Sequence, residues 1–570
     1  MLRDAGLIGL GTVAWAACGG GGSDPGQTTL DATIGIDSAG ALVAKEGESY
    51  AVRTELSAAQ AGRPDRRRSL VLFHHFSDFR VVDEESPARA EWQDQCPTPV
   101  RDAFRPNETL SVQAADALVQ RANAIKLSPV TKQPVQFAIH TGNASDNAQF
   151  NETRWFIDMM DGKPVYPDSG AIGYQGVQTE SPASDYGDLL QQAQRNFQPV
   201  GLKVPWYAVV GNRDILVQGV SAPGDRSARI AKGAQKIEAL GPDALTEACA
   251  GSQVVLGPDS SQTILNDPKT IVRGVGADGN RRFLSLADWV LEHFASADSP
   301  GPSGHGFGGD NVAVGTAYYV LDQGAVSIIV LNTVNAAGFA GGSIDETQFI
   351  WLQNRLVERT STYFDASNQQ VATANADRLV LIVSHHPTEA INNPFPGPNA
   401  QERRYQGPEL EALLHRFPNV ALHLAGHTLE NRITPRPFAS DPSRGYWEIT
   451  TGGPLDMPMQ ARLIEIVDNV DGTISIFSTV YDNASPLNPG DADDPTPDDG
   501  VNQLLLAGVA RQIAARDPQR LPDSAGLSAA DRNAELLLTA ASPSTATATA
   551  SPIPATDTPA PTETPTPQAS

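Results

Sequence analysis

Five short polar clusters each follow an apolar, β-branched run: Ser77-Asp78-Phe79-Arg80 after LVLFHHF, Gly142-Asn143-Ala144-Ser145-Asp146-Asn147 after VQFAIH, Gly211-Asn212-Arg213-Asp214 after VPWYAVV, Ser384-His385-His386-Pro387 after RLVLIV, and Gly426-His427-Thr428-Leu429-Glu430-Asn431 after NVALHLA. Imidazoles, amide carbonyls and carboxylates are the donor atoms that zinc, iron and manganese accept. A guanidinium adds bidentate recognition of phosphoryl oxygens, but it stays charged and cannot pass a proton. Together the clusters could hold a cation and an oxyanion. Singly each has a plainer explanation: His385-His386-Pro387 alone is as well a pair of packing histidines.

The elements that must position these groups are legible around them. Runs this short and apolar predict buried strands, and loops leaving the carboxyl ends of strands in an α/β sheet form its ligand crevice. Five clusters at such ends therefore predict one assembled site. SIDETQFIWLQNRLVE, with Ser343 and Glu346 at capping-box spacing, and PELEALLHRF, opened by Gly407-Pro408, predict helices. ARLIEIV and TISIFSTV around Asp471-Gly472 predict a hairpin. DADDPTPDDG has prolines and no ligand spacing, which makes it a solvated loop and not a calcium site. NQLLLAGVARQIAAR and SAADRNAELLLTAA read as helices, and from Ser542 the chain is too poor in apolar bulk to fold. The expected division is 1–23 a signal segment, 24–66 a spacer, 67–483 the main domain, 484–541 an acidic loop with C-terminal helices, and 542–570 a disordered tail.

A formal net charge of -25 over 570 residues excludes nucleic acid or anionic lipid as the main partner. The apolar stretch Ala5 to Ala17 is too short to span a bilayer and suits a signal segment. With Ala16-Ala17-Cys18 it is similar to a bacterial lipoprotein signal. That predicts export to the cell surface or periplasm, with membrane contact only through a lipid on Cys18. The other two cysteines, Cys96 and Cys249, form a possible disulfide in such a compartment.

In order and spacing the five clusters resemble the motifs of the calcineurin-like metallophosphoesterases: Asp-x-His, Gly-Asp-x-x-Asp, Gly-Asn-His-Asp/Glu, a histidine after a strand, and Gly-His-x-His. With QFNETRWFIDMMDG, NFQPVGLKVPWYAVVGN and YWEITTGGPLDMPMQARLIEIVDNVDGTISIF, the nearer resemblance is to a bacterial subfamily of exported members, twin-arginine or lipoprotein in type, with long inserts, over roughly Leu70 to Leu538. It implies an α/β sandwich of two mixed β-sheets flanked by helices. It also implies two metal ions, bridged by the Asp of the second motif and by a hydroxide that attacks phosphorus. Two dications about 4 Å apart repel by roughly 16 kcal/mol at an effective dielectric of about 20, so anionic bridging is essential.

Carried over residue by residue, the resemblance aligns Asp78, Arg80, Asn143 and Leu429 with the first metal. A guanidinium, a neutral amide and a side chain without a donor atom predict that this ion is absent or very weakly held. It aligns Asn143, Asn212, His385 and His427 with the second, His386 being the alternative in the fourth motif, and so predicts one divalent ion (Mn, Fe or Zn) or none. Arg213 stands where the family has the histidine beside the leaving-group oxygen. With Arg80 it is expected either to clamp an oxyanion in the vacated space or to turn to carboxylates such as Asp83, Glu84 or Asp214. Asp146, Asn147, Asp214 and Glu152 are expected to orient loops, and His74, His75 and His140 to be core residues; Asn332 falls where relatives have an acidic group. The resulting expectation is an exported protein with metal-dependent phosphoric ester hydrolysis by ancestry, reduced or atypical here. The alternative is a non-catalytic relative that binds an anionic ligand or a protein partner.

Overall fold

The apolar runs pair as strands because their Val, Ile and Leu side chains are buried on both faces, as parallel strands require. In the computed structural model they form two mixed sheets. One runs in the spatial order Ala51–Arg53, Ala534–Thr539, Thr473–Asp482, Gln460–Asp468, Arg68–Phe76, Phe137–His140, Trp206–Ala208. Its last three strands are parallel, and the hairpin around Gly472 joins them antiparallel. The other runs Arg432–Arg436, Tyr446–Thr450, Val420–Ala425, Leu379–Val383, Val326–Val330, Tyr319–Gln323, with four central parallel strands between two antiparallel edges. The structure describes residues 28–38, 40–96, 103–178, 188–250, 267–296, 300–396, 402–487, 503–517 and 528–540.

The sheets face each other across one core. Phe73, Ile464 and Leu536 come to it from the first sheet, and Ile328, Leu381, Leu422 and Ile449 from the second. The Trp447 indole N–H crosses between the sheets to the Leu537 carbonyl, 3.1 Å away. Because side chains alternate along a strand, Ile329, Val380 and Ile382 point to the opposite face. There they meet Leu352 and Leu356 of the helix Glu346–Val357 and Leu410 and Leu414 of the helix Gly407–Leu414. The helices Ser111–Ala124 and Phe150–Asp161 add Leu118, Val119, Phe156 and Ile157 to the core. The architecture is thus the expected α/β sandwich of two mixed sheets flanked by helices.

Some local expectations are corrected. SAADRNAELLLTAA contributes a strand, Ala534–Thr539, and not a helix. Pairing on both sides with Thr473–Asp482 and Ala51–Arg53 overrides the helical propensity of its leucines. Ala51–Arg53, within the stretch read as a spacer, is therefore part of a main sheet. The helix Glu346–Val357 is capped by Asp345, whose carboxylate accepts from Gln348 N–H, and not by Ser343. Cys96 and Cys249 form a disulfide with Cα atoms 5.6 Å apart, tying the turn Glu91–Gln95 to the helix Pro242–Ala250. Cys18, the DADDPTPDDG loop and the chain from Ser542 lie outside the described residues. No helix among the described residues is long and apolar enough to cross a membrane.

Candidate metal and oxyanion site

Glycines let the five loops meet. A Cβ on Gly142 (φ +92°) would lie 2.7 Å from Gly211 N and 2.9 Å from His385 Nδ1, and one on Gly426 would stand 1.8 Å from Ser77 Oγ. Around these contacts Asp78, Arg80, Asn143, His427 and Leu429 all adopt left-handed backbone, φ 46° to 67°. That conformation costs an L-residue roughly 1–2 kcal/mol and persists where the surroundings over-determine it, which is typical of functional sites.

His385 occupies the middle of the site. Its Nδ1 is 2.7 Å from the Thr141 carbonyl oxygen and its Nε2 is 2.9 Å from Asn212 Oδ1. The orientation of the Asn212 amide is fixed, since its Nδ2 donates to the Gly219 carbonyl at 2.8 Å. A neutral imidazole has one N–H, so with Nδ1–H spent on Thr141 the Nε2 lone pair faces the lone pairs of Asn212 Oδ1. His427 Nδ1 lies 3.2 Å from the same Nε2. Metal–ligand bonds of about 2.0–2.1 Å place neighbouring donor atoms roughly 3 Å apart, the spacing that His385 Nε2 keeps to both Asn212 Oδ1 and His427 Nδ1. Burial pushes His385 down to about 3, against the pull of Asp78, which keeps its lone pair available at neutral pH.

His386 also lies close, and the ring nitrogens of His385, His386 and His427 come within 4.8 Å of one another. Its own nitrogens are engaged elsewhere, with Thr333 Oγ1 at 2.8 Å and the Ala340 carbonyl at 3.0 Å. Behind this turn Ser384 Oγ stands 2.8 Å from His423 Nε2, and His423 Nδ1 stands 2.9 Å from Glu448. The spacing is that of a nucleophile relay. The group is buried, however, and the Ser384 hydroxyl donates to the His386 carbonyl, so it braces the turn.

The other half of the site is closed by hydrogen bonds. A carboxylate has about four acceptor positions, and Asp78 accepts from Ser77 Oγ (2.7 Å), His427 N–H (2.8 Å), Asn143 Nδ2 (2.9 Å) and Arg80 Nε (3.4 Å). Burial alone would raise this carboxyl. His385, Arg80, Ser77 and Asn143 outweigh burial and hold it well below the usual carboxylate range. Asn143, aligned with the bridging position and counted among the candidate ligands, commits its amide otherwise: Oδ1 accepts from Arg213 N–H at 2.8 Å while Nδ2 faces Asp78. Leu429 is buried and offers no donor. Where the resemblance puts the first metal there are thus an amide and a guanidinium hydrogen-bonded to Asp78.

Both arginines meet carboxylates. Arg80 pairs with Asp78, and Arg213 Nη1 contacts Asp146 Oδ1 at 2.7 Å. Burial works against the Asp146 charge, but Arg213, Arg89 and Arg80 hold its carboxyl below the ordinary value. Asp214 accepts the N–H groups of Gly211, Asn143 and Ser145 at 2.7–3.0 Å and so locks the second loop to the third; burial pushes it up to about 6. Asn147 and Glu152 do similar work, Glu152 accepting from Asn147 N–H and Asp83 N–H. Asn332 caps its own turn by accepting from Val334 N–H, and His74, His75 and His140 are buried at the sheet. Sequence reasoning missed Arg89, which is buried against Asp146, Glu91 and Glu108. It sits in an insert outside all five clusters, and nothing in its neighbourhood marks it.

No family model matches the chain, and no curated protein matches it. Among solved structures the chain is similar to a purple acid phosphatase from yellow lupin (Lupinus luteus) seeds, with a TM-score of 0.28 and 10% sequence identity. The match covers 85% of this chain and 60% of that one.

Proposed function

We propose that the chain is a one-metal relative of the calcineurin-like metallophosphoesterases. It holds one divalent cation (Mn, Fe or Zn) through His385, Asn212 and His427, and binds a phosphoester or similar oxyanion there. Hydrolysis is slow or lost. The observation that carries this reading is the Nε2 lone pair of His385 facing Asn212 Oδ1, an opposition that a cation relieves. The order of the five loops supports phosphoester chemistry. A bound dication would polarise a phosphoryl oxygen and acidify water; the chain's own part is to orient the ester. Arg213 can stabilise negative charge but cannot replace the family's proton donor. A non-catalytic binder is the second reading, favoured by the filled acceptor positions of Asp78. The protein is exported in this reading, by the signal segment and Cys18, with no nucleic acid partner.

The test is elemental analysis of the purified chain after exposure to manganese, zinc and iron. One ion per chain is expected, lost in His385→Ala and His427→Ala. No bound ion overturns the proposal, and two ions mean that other ligands rebuild the paired site and that hydrolysis should be fast.

A further inference from the structure

His386, whose two ring nitrogens are engaged by Thr333 and Ala340, anchors something else. Next to its partner Ala340, Phe339 adopts left-handed backbone, φ 70°, and stacks on Phe395 with ring centroids 4.7 Å apart and planes 19° apart. For a bulky residue this backbone is a genuine outlier, and the surroundings enforce it. Phe339 N–H donates to the Val220 carbonyl at 2.6 Å. Buried Asn393 donates to the Gly338 and Gly341 carbonyls at 2.8 and 3.1 Å and accepts from Phe395 N–H at 3.1 Å. Buried Asn335 donates to the Phe395 carbonyl at 2.9 Å.

Two links join this pair to the cation ligands. One runs through His386, whose ring centroid lies 4.5 Å from that of His427 and 4.9 Å from that of His385. The other runs through adjacent carbonyls: Gly219 accepts from Asn212, and Val220 accepts from Phe339. Yet Phe395, whose backbone is so firmly held, leaves 51% of its surface in water. Stability alone favours burying a phenyl ring; this one is held rigid and half-exposed, and is linked through its partner Phe339 to the residues around His385.

We propose that Phe395 and Phe339 seat an aromatic ring carried by the phosphoester, so that the substrate or ligand class is an aryl or nucleoside phosphate. The inference rests on the one-metal reading above. A fixed aromatic face rewards a planar group by offset or edge stacking beyond what an alkyl chain gains. The ring's source, a simple aryl alcohol or a nucleobase, is left to the experiment.

Calorimetry on the manganese-loaded full chain would compare inorganic phosphate, methylphosphonate, phenylphosphonate and adenosine monophosphate, with bound metal measured in parallel. Phenylphosphonate should bind about fivefold tighter than methylphosphonate. That advantage should vanish in both Phe395→Ala and Phe395→Leu, the second keeping apolar bulk without a ring. Phosphate affinity and metal content should not change. Tighter binding of the adenosine ester than of phenylphosphonate assigns a nucleobase to the seat, and the reverse assigns a simple aryl group. Equal binding of the two phosphonates, with phosphate still bound, overturns the seat alone. Loss of all phosphate binding overturns the one-metal reading, and this inference with it.

Discussion

At the scale of single residues, the Asn143 amide organises half the site, meeting Asp78 with its Nδ2 and Arg213 N–H with its Oδ1. The amide donates to Asp78 where a second carboxylate would repel it unless a cation stood between them. Asn143→Asp removes that donor and sets two buried carboxylates side by side, which raises a pKa or demands a counter-ion. In EDTA the variant should lose about 1–3 kcal/mol of stability, and excess manganese should restore more of its melting temperature than it adds to the wild type. Thermal melts in both buffers check this; an unchanged melt in EDTA would show that the Asn143–Asp78 bond contributes nothing. That His385, Asn212 and His427 come together is legible in sequence, because each lies within a few residues of a strand's carboxyl end. What Asn143 and Arg213 do instead is not legible. Their partners are chosen by three-dimensional proximity, as Arg213 meets Asp146 from a different loop.

At the scale of elements, the inserts reach the site through buried charge. Lys236 on the strand Gln235–Ala239 contacts Glu91 at 2.6 Å, Glu91 contacts Arg89 at 3.0 Å, and Arg89 and Arg213 share Asp146. The Cys96–Cys249 disulfide binds the same two inserts together. Arg89 also meets Glu108 at 2.8 Å, so removing its guanidinium takes one cation from a buried group of three acids, of which Glu91 keeps Lys236 and Asp146 keeps Arg213. Breaking a buried network by deleting one partner costs about 3–5 kcal/mol. Arg89→Met should lower stability by about that much in urea titration, while Arg213→Met, which leaves Arg89 on Asp146, should cost less. An equal or reversed order would show that the chain of charges is not centred on Arg89. The parallel strands were readable from their unbroken apolar runs, since burial on both faces removes the polar alternation that other strands keep. Ala534–Thr539 was not, because alanine and leucine favour helix on their own and only the neighbours in the sheet decide for strand.

At the scale of the whole molecule, two sets of buried groups pull stability in opposite directions with pH. Burial pushes His74, His75, His140, His305 and His385 down to about 3. These stay neutral in the fold but take up protons on unfolding below about 6.5, so their contribution falls as pH drops from there. Burial pushes Glu85 and Glu108 up to about 7, and Asp116, Asp161 and Asp214 up to about 6. Protonated in the fold and ionised on unfolding, these gain stability as pH drops from their folded values to about 4. From about pH 6 to about 4.5 the two sets largely offset each other. Below about 4 the carboxyls have no more to gain, and the histidines continue to lose. Asp78 and Glu448, both held below the usual carboxylate range, begin to lose there as well. Melting temperature measured in EDTA should therefore be nearly flat across the mildly acidic range and fall steeply below about pH 4. A steady decline from neutrality would mean that the buried carboxyls are already ionised in the fold and that their burial is incomplete.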